Sequence, residues 1–277
     1  MPELPEVQAL AERLHESGAG ATLAAVQPLQ FSALKTVAPD PSSLAGRVLQ
    51  AVTRRGKLLV CSFDGPRLVV HLSQGGRVTL EDPARATRPR GAVLRLVLVD
   101  RPSVLVTEHG TERKAAWWVL ARDDDGPLAR LGPEPASEAF ATLVRTGQDR
   151  RRVHTVLRDQ RTVAGLGRGY TDDALHRAGI SPYASLASLR PEQRQRLLDA
   201  ISDVLAAGLA AERRREGGLP PRLGDHWVVH RRWGQPCPTC GDGLRRVSYE
   251  RYEVTYCPAC QTGGTVLADR RLSRLLK

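Results

Sequence analysis

The chain is 277 residues long and carries 41 Lys+Arg against 30 Asp+Glu, a formal net charge of +11. That length exceeds one average domain, and a hydrophobic content of 41% can bury a core in each of two or three folded units. No run approaches the roughly 18 apolar residues of a membrane span, and the start lacks the basic-then-apolar order of a secretory signal, so a soluble, cytoplasmic protein with no membrane partner is expected.

Lysine occupies only positions 35, 57, 114 and 277, so the remaining 37 basic residues (41 − 4) are arginine. A GC-rich coding bias accounts for much of that ratio but not for the net surplus. The surplus points to a polyanionic partner, with nucleic acid as the default.

In chain order, Val7, Leu10, Ala11 and Leu14 recur at i, i+3, i+4 and i+7 and predict one apolar helix face ending near Gly18. From Leu23 to about Trp118 come short Val-rich runs bounded by Gly, Pro and Asp (RVLQAV, KLLVCSF, RLVVHLS, RVTL, AVLRLVLVD, SVLVT and AAWWVL), which read as strands of a sandwich or barrel. Cys61, set among Leu59, Val60 and Phe63, reads as a small buried hydrophobe. Asp123-Asp124-Asp125-Gly126-Pro127 marks the exit from this region.

From roughly residue 135 to 215 the period becomes helical. Val156 and Leu157 sit in one helix; Thr171 is expected to cap a second, with Asp172 and Asp173 in its first turn and Gly179 at its close. Pro191 opens a long helix whose apolar face holds Leu197, Leu198, Ile201, Val204, Leu205 and Leu209. Arg213-Arg214-Arg215 either complements its dipole or faces solvent, and residues 216–225 read as a loop.

Cys237-Pro-Thr-Cys240 and Cys257-Pro-Ala-Cys260 are two C-x-x-C pairs separated by sixteen residues. Each turn can present two thiolates, and two facing turns complete a tetrahedral sulfur site for one structural zinc ion. The alternatives are a pair of disulfides, which a reducing cytosol disfavours, and redox dithiols, which would not need doubling.

Seven motifs stand in one order: Met-Pro-Glu-Leu-Pro-Glu-Val at the start, Arg54-Arg55-Gly56-Lys57, His71-Leu72, Leu131-Gly132-Pro133-Glu134-Pro135, Asp159-Gln160 leading to Gly165-Leu166-Gly167, Ala178-Gly179-Ile180-Ser181-Pro182, and Pro236-Cys237-Pro-Thr-Cys240. With them the chain resembles the formamidopyrimidine-DNA glycosylase/endonuclease VIII family, as a divergent bacterial member. The resemblance implies an α+β multidomain fold: an N-terminal β-sandwich with flanking helices (1–122), a linker (123–150), a helix–two-turns–helix DNA-binding domain (151–230), a zinc-finger β-hairpin (231–265) and a tail (266–277). It also implies a monomer that acts on damaged DNA near the nucleoid.

The chemistry follows from the residues. Removal of Met1 exposes Pro2 as a secondary amine that is partly unprotonated at neutral pH and can attack a deoxyribose C1′. Glu3 is placed to pass protons to and from the sugar and the amine. By resemblance, Glu6 shapes the same site and Lys57 holds the flanking phosphates. The resemblance also places His71, Gly165, Gly167, Arg168 and a hairpin arginine, Arg251, against DNA, with Arg245 and Arg246 as substitutes for Arg251. The chain departs from the family in four places: Arg168 stands for an asparagine, Gln74 for a wedge methionine, Thr107-Glu108-His109-Gly110-Thr111-Glu112 for an Arg-Phe loop, and Tyr252 for the hairpin arginine. Either Gln74 and His109 form a polar wedge, or the substrate is single-stranded, branched or bulky. Two rival functions are a catalytically inactive DNA-damage-binding protein of the same fold and a zinc-ribbon RNA-binding factor.

Overall fold

The computed structural model describes residues 1–110, 113–220, 224–249 and 252–269. They fall into two compact units, Met1–Arg130 with Leu209–Leu223, and Leu131–Gly208 with Gly224–Lys277.

The first unit opens with α1 (Leu4–Gly18), started by Pro5 near its N-terminus and by a reciprocal capping box between Glu3 and Glu6. Strands β1 (Leu23–Pro28), β6 (Ala92–Leu98), β7 (Ser103–Glu108) and β5 (Gly76–Glu81) form one antiparallel sheet in the order β1-β6-β7-β5. Strands β2 (Leu49–Arg55), β3 (Leu58–Phe63), β4 (Arg67–His71) and β8 (Ala116–Leu120) form the other, in the order β2-β3-β4-β8. Both sheets contribute to one core: Leu23, Val78, Leu94 and Val106 from the first and Leu59, Leu68, Val70 and Trp117 from the second. This is the sandwich that the short apolar runs predict. Val7, Leu10, Ala11 and Leu14 of α1 are all buried in the same core. Cys61 is buried there too, and burial alone pushes its thiol up to about 12, so it behaves as an inert apolar side chain.

An ion pair is buried in this unit. Arg95 on β6 is 2% exposed, and its guanidinium donates to the Glu81 carboxylate at 2.8 Å, the Gln27 side chain at 3.0 Å and the Thr87 carbonyl at 2.8 Å. Three partners compensate the burial of the pair, and losing one of the two charges leaves the other stranded.

The second unit begins with α2 (Glu138–Thr146), capped by the Ser137 hydroxyl, followed by α3 (Val153–Arg158), α4 (Arg168–Arg177) and α5 (Pro191–Arg213). Phe140, Val156, Leu157, Leu166, Tyr170, Leu175, Leu197 and Ile201 fill its core. The hairpin β9 (Arg245–Tyr249) and β10 (Tyr252–Tyr256) and the short α6 (Pro258–Thr262) complete the unit. Arg194, unremarked in the sequence, is 6% exposed and donates to the carbonyls of Leu189, Val144 and Gly147 at 2.6–2.9 Å, tying α5 to the end of α2.

Two local expectations are corrected. Thr171 does not cap α4, because the helix starts at Arg168 with Gly167 as its N-cap, and Thr171 is fully buried inside it. Burying Leu166 and Tyr170 in the core draws the helix start back by one turn. Asp172 and Asp173 therefore lie beyond the first turn and are buried acceptors. Residues 209–220, read with the helical region in the sequence, pack with the sandwich. Leu219 bridges to Val78 on the edge of β5, and Arg13 donates to the carbonyls of Glu212, Gly217 and Gly218 at 2.7–3.2 Å.

Replacing Arg95 by Met strands the buried Glu81 carboxylate and is expected to destabilise the protein by about 3–5 kcal/mol. The double variant Arg95→Met/Glu81→Leu is expected to recover most of that loss. Urea denaturation of the three proteins checks it, and equal stabilities of wild type and Arg95→Met would contradict the reading.

Candidate active site and nucleic-acid interface

Pro2, Glu3 and Glu6 are all buried at the start of α1. The capping box is the local reason: the Glu3 side chain accepts from the Glu6 amide, and the Glu3 amide donates to Glu6 Oε2 at 2.8 Å. The two carboxylates are thereby held on adjoining turns beside Pro2. A third carboxylate joins them. Glu212, near the end of α5, is fully buried and has an oxygen within 4.8 Å of a Glu6 oxygen. Burial first, and then the charges of Glu3 and Glu212, push the Glu6 carboxyl from its ordinary 4.5 up to about 7, against the lowering effect of the Glu3 amide. Glu6 is thus poised to hold or release a proton near neutrality. Glu212 was missed in the sequence because it stands 206 positions from Glu6 (212 − 6), in a run of exposed-looking charges.

Lys57 sits in the two-residue turn between β2 and β3, where Arg55 pairs with Leu58 and Gly56 takes φ +58°. A lysine in a hairpin turn is ordinarily solvated, but this one is only 6% exposed. Its neighbour across the sheet is His71, opposite Leu58 in the β3–β4 register. Burial and then the Lys57 charge hold the His71 imidazole below its ordinary range. α1 packs on β2 and β3, the strands that carry this turn.

Gln74 and His109 come together at one end of the β5–β7 pair. Both are exposed, and the His109 amide donates to the Gly75 carbonyl at 2.9 Å. A Cβ on Gly75 would lie 1.8 Å from the His109 carbonyl oxygen, so only glycine allows the two turns to approach this closely. The base of the His109 loop is held by Glu108, which is 2% exposed and accepts from the amides of Lys114 and Ala115 at 2.8–3.0 Å. Thr111 and Glu112 lie outside the described residues.

In the second unit, Gly165 takes φ +104° in the turn ahead of α4. Gln160 holds this turn: its Oε1 accepts from the Gly165 amide at 2.9 Å and its Nε2 donates to the Leu166 carbonyl at 2.7 Å. The Gly165 amide is therefore committed internally, and what this glycine supplies is the turn. Gly167 caps α4, and Arg168 is the half-buried first residue of that helix. A cation there opposes the helix dipole, an arrangement that favours an anion close by. Arg251 lies outside the described residues, whereas Arg245 and Arg246 are exposed on β9, with Arg246 stacked on Trp233 at 3.9 Å and paired with Glu253 at 2.8 Å.

Cys237, Cys240, Cys257 and Cys260 have their sulfurs within 4.8 Å of one another. The Cys240–Cys257 and Cys237–Cys260 Sγ distances are 3.5 and 3.9 Å, too long for disulfides at about 2.05 Å. They match the edge of a tetrahedron built on metal–sulfur bonds of about 2.3 Å, roughly 3.8 Å, so the four thiols fit a zinc-finger site.

The chain thus carries a two-sheet sandwich with a buried acidic N-terminus, and a helical unit with a glycine turn and a four-cysteine hairpin. Residues 1–110 match the model of the formamidopyrimidine-DNA glycosylase N-terminal domain and residues 131–216 that of the formamidopyrimidine-DNA glycosylase H2TH domain. The formamidopyrimidine-DNA glycosylase of Thermus thermophilus is 35% identical over 282 aligned positions, covering 95% of this chain and 100% of the relative. An uncharacterized formamidopyrimidine-DNA glycosylase-like protein of Mycobacterium tuberculosis is 46% identical over 130 positions, 46% of this chain and 80% of that protein. Crystal structures of the Lactococcus lactis enzyme with Fapy-dG DNA and with abasic-site DNA share the fold at TM-scores of 0.83 and 0.82, with 24% identity, and cover 94% of this chain and 100% and 99% of theirs. The chain belongs to the formamidopyrimidine-DNA glycosylase family. Among the described residues, no helix is long and apolar enough to cross a membrane.

Because the Glu6 carboxyl titrates higher in the folded protein than in the unfolded chain, its contribution to stability is fully present below about pH 4.5 and is lost as pH rises through about 7. Glu6→Gln keeps the acceptor for the Glu3 amide and removes that titration. The variant is expected to gain stability relative to wild type across this window, read from denaturant midpoints at several pH values. A stability difference that does not change with pH would contradict the assignment.

Proposed function

We propose that this protein is a bifunctional DNA glycosylase and abasic-site lyase of base excision repair, with Pro2 as its nucleophile. The observation that carries the reading is the buried constellation of Pro2, Glu3 and Glu6, with Glu6 held near neutrality in its titration. Once Met1 is removed, the Pro2 nitrogen bonds to C1′ of the lesion nucleotide, and the N-glycosidic bond breaks as the base leaves. Glu3 delivers a proton to the sugar ring oxygen as the ring opens, which leaves an iminium between Pro2 and C1′. The iminium acidifies the neighbouring sugar protons, and β- then δ-elimination break the two flanking C–O bonds. Glu6 takes and returns protons beside this centre, while Lys57 sets positive charge at the phosphates.

The substrate is damaged DNA, bound by a monomer whose positive charge sets affinity and salt dependence rather than lesion choice. His71 lies beside Lys57. Gly165 and Gly167 bring the α4 N-terminus close to a phosphate that Arg168 grips. The hairpin arginine, Arg251 or its neighbours Arg245 and Arg246, takes the phosphates around the extruded nucleotide. One zinc ion held by Cys237, Cys240, Cys257 and Cys260 cross-links the two cysteine turns and is structural, since four protein ligands close its shell.

Borohydride reduction in the presence of abasic DNA is expected to trap a covalent adduct that peptide mass spectrometry maps to Pro2. A protein that binds abasic DNA but gives no adduct would instead be the inactive damage-binding reading. Tighter binding to RNA than to abasic DNA would favour the zinc-ribbon factor.

The juxtaposed Gln74 and His109 support a polar wedge in place of apolar and aromatic fillers, and hence a lesion preference unlike that for 8-oxoguanine opposite cytosine. Filling the hole left by an extruded base matters only in a duplex, where lost stacking costs a few kcal/mol. Gln74→Ala/His109→Ala is therefore expected to lower excision from duplex substrates about ten-fold, equivalent to roughly 1.4 kcal/mol, and to leave single-stranded substrates little changed. Excision kinetics on a lesion panel in both contexts check this. Equal losses in both contexts, or robust 8-oxoguanine excision by the wild type from ordinary duplex, would refute it.

A further inference from the structure

Among the buried polar side chains of helix α4 are Asp172, Asp173 and, one turn on, His176. The two carboxylates are engaged by His154, His230 and backbone amides. His176 has a different partner: its Nε2 lies 3.1 Å from Cys237 Sγ, with the histidine 6% and the cysteine 3% exposed. A metal-bound thiolate offers only lone pairs, so this contact places the imidazole proton on Nε2 and makes His176 the donor. The Thr239 amide approaches the same sulfur at 3.4 Å. Among the described residues, no other side chain outside the four cysteines donates to one of the four sulfurs.

Two consequences follow from the physics of metal–thiolate bonds. A hydrogen bond to the sulfur takes up one of its lone pairs and steadies the ligand on the metal. It also fixes the orientation of the ligand, because His176 is anchored in the packed face of α4, whose neighbours Ala174 and Leu175 are fully buried. An aromatic hydrocarbon would fill the same volume, but only the imidazole supplies a donor.

We propose that His176 is a positioning residue that donates a hydrogen bond to the zinc-bound thiolate of Cys237, and that it slows release of the metal while joining α4 to the four-cysteine site. This rests on the zinc reading above. The test compares metal content and the rate of zinc transfer to a chromogenic chelator in the purified holoprotein and in its His176→Phe and His176→Gln variants. Wild type is expected to carry one zinc, His176→Phe to surrender it about ten-fold faster, and His176→Gln, which keeps an N–H, to recover most of the difference. Substitution with an NMR-active cadmium isotope is expected to show a scalar coupling between the metal and the His176 Nε2 proton. Packing alone does not produce that coupling, and measuring it needs no variant to fold. A zinc-loaded wild type with no such coupling, or with the same transfer rate as a folded His176→Phe, overturns the role of His176 and leaves the zinc reading standing. A metal-free wild type overturns both.

Discussion

The second unit depends on two consecutive carboxylates that are almost wholly out of water. Asp172 accepts from His230 at 2.6 Å, from His154 at 3.0 Å and from the Thr255 amide at 3.1 Å, and Asp173 accepts from the amides of Val228, Val229 and His230 at 2.8–3.0 Å. Burial alone would raise both groups. For Asp172, the bonds and charges of the two histidines outweigh that effect and hold it below its ordinary range. For Asp173 burial prevails over the three amides, and it is raised. Burial also holds His154 low despite its bond to Asp172. A buried carboxylate with unmet acceptors is costly, so each bond fixes the segment that supplies it. The helix thereby holds the segment leading into the first cysteine pair and the strand leading into the second.

The first unit uses the opposite device at its candidate site. There Glu3, Glu6 and Glu212 gather as three buried carboxylates, and burial first, then the charges of its neighbours, raises Glu6 to titrate near neutrality. The crowding is supported by the ion pairs around it. Arg213 pairs with Glu12 at 2.8 Å, Arg215 with Glu212 at 3.1 Å, and Arg13 grips the chain that follows α5. The arginine run at 213–215, ambiguous in the sequence, thus helps to fasten the end of α5 to the sandwich. Groups arranged so that one proton is loosely held are what proton-transfer chemistry requires, and such arrangements cluster at functional sites.

Much of this was readable before folding. The apolar periods of α1 and α5, the short strands and the thiol spacing all depend on residues within about twenty positions of one another, where local geometry dictates the outcome. The Thr171 expectation failed because Thr-Asp-Asp satisfies a local capping pattern, while the burial of Leu166 and Tyr170, a tertiary demand, moves the helix start. Arg95 and Arg194 were unremarked because an arginine in an arginine-rich chain carries no mark of being buried. Their roles depend on carbonyls and carboxylates brought close only by the packed sheets and helices.

Residue identity and short-range spacing are enough to encode the family, the order of strands and helices, and the candidate chemistry of Pro2, Glu3, Lys57 and the four cysteines. Packing had to supply the rest: that burial, with Glu212 close by, raises Glu6, that Lys57 is withdrawn from water beside His71, that Gln74 and His109 share one end of a sheet, and that His176 reaches a ligand sulfur. Each of these is an electrostatic or hydrogen-bonding relation between groups far apart in the chain. Its strength depends on distance and on exclusion of water, and neither exists until the chain is packed.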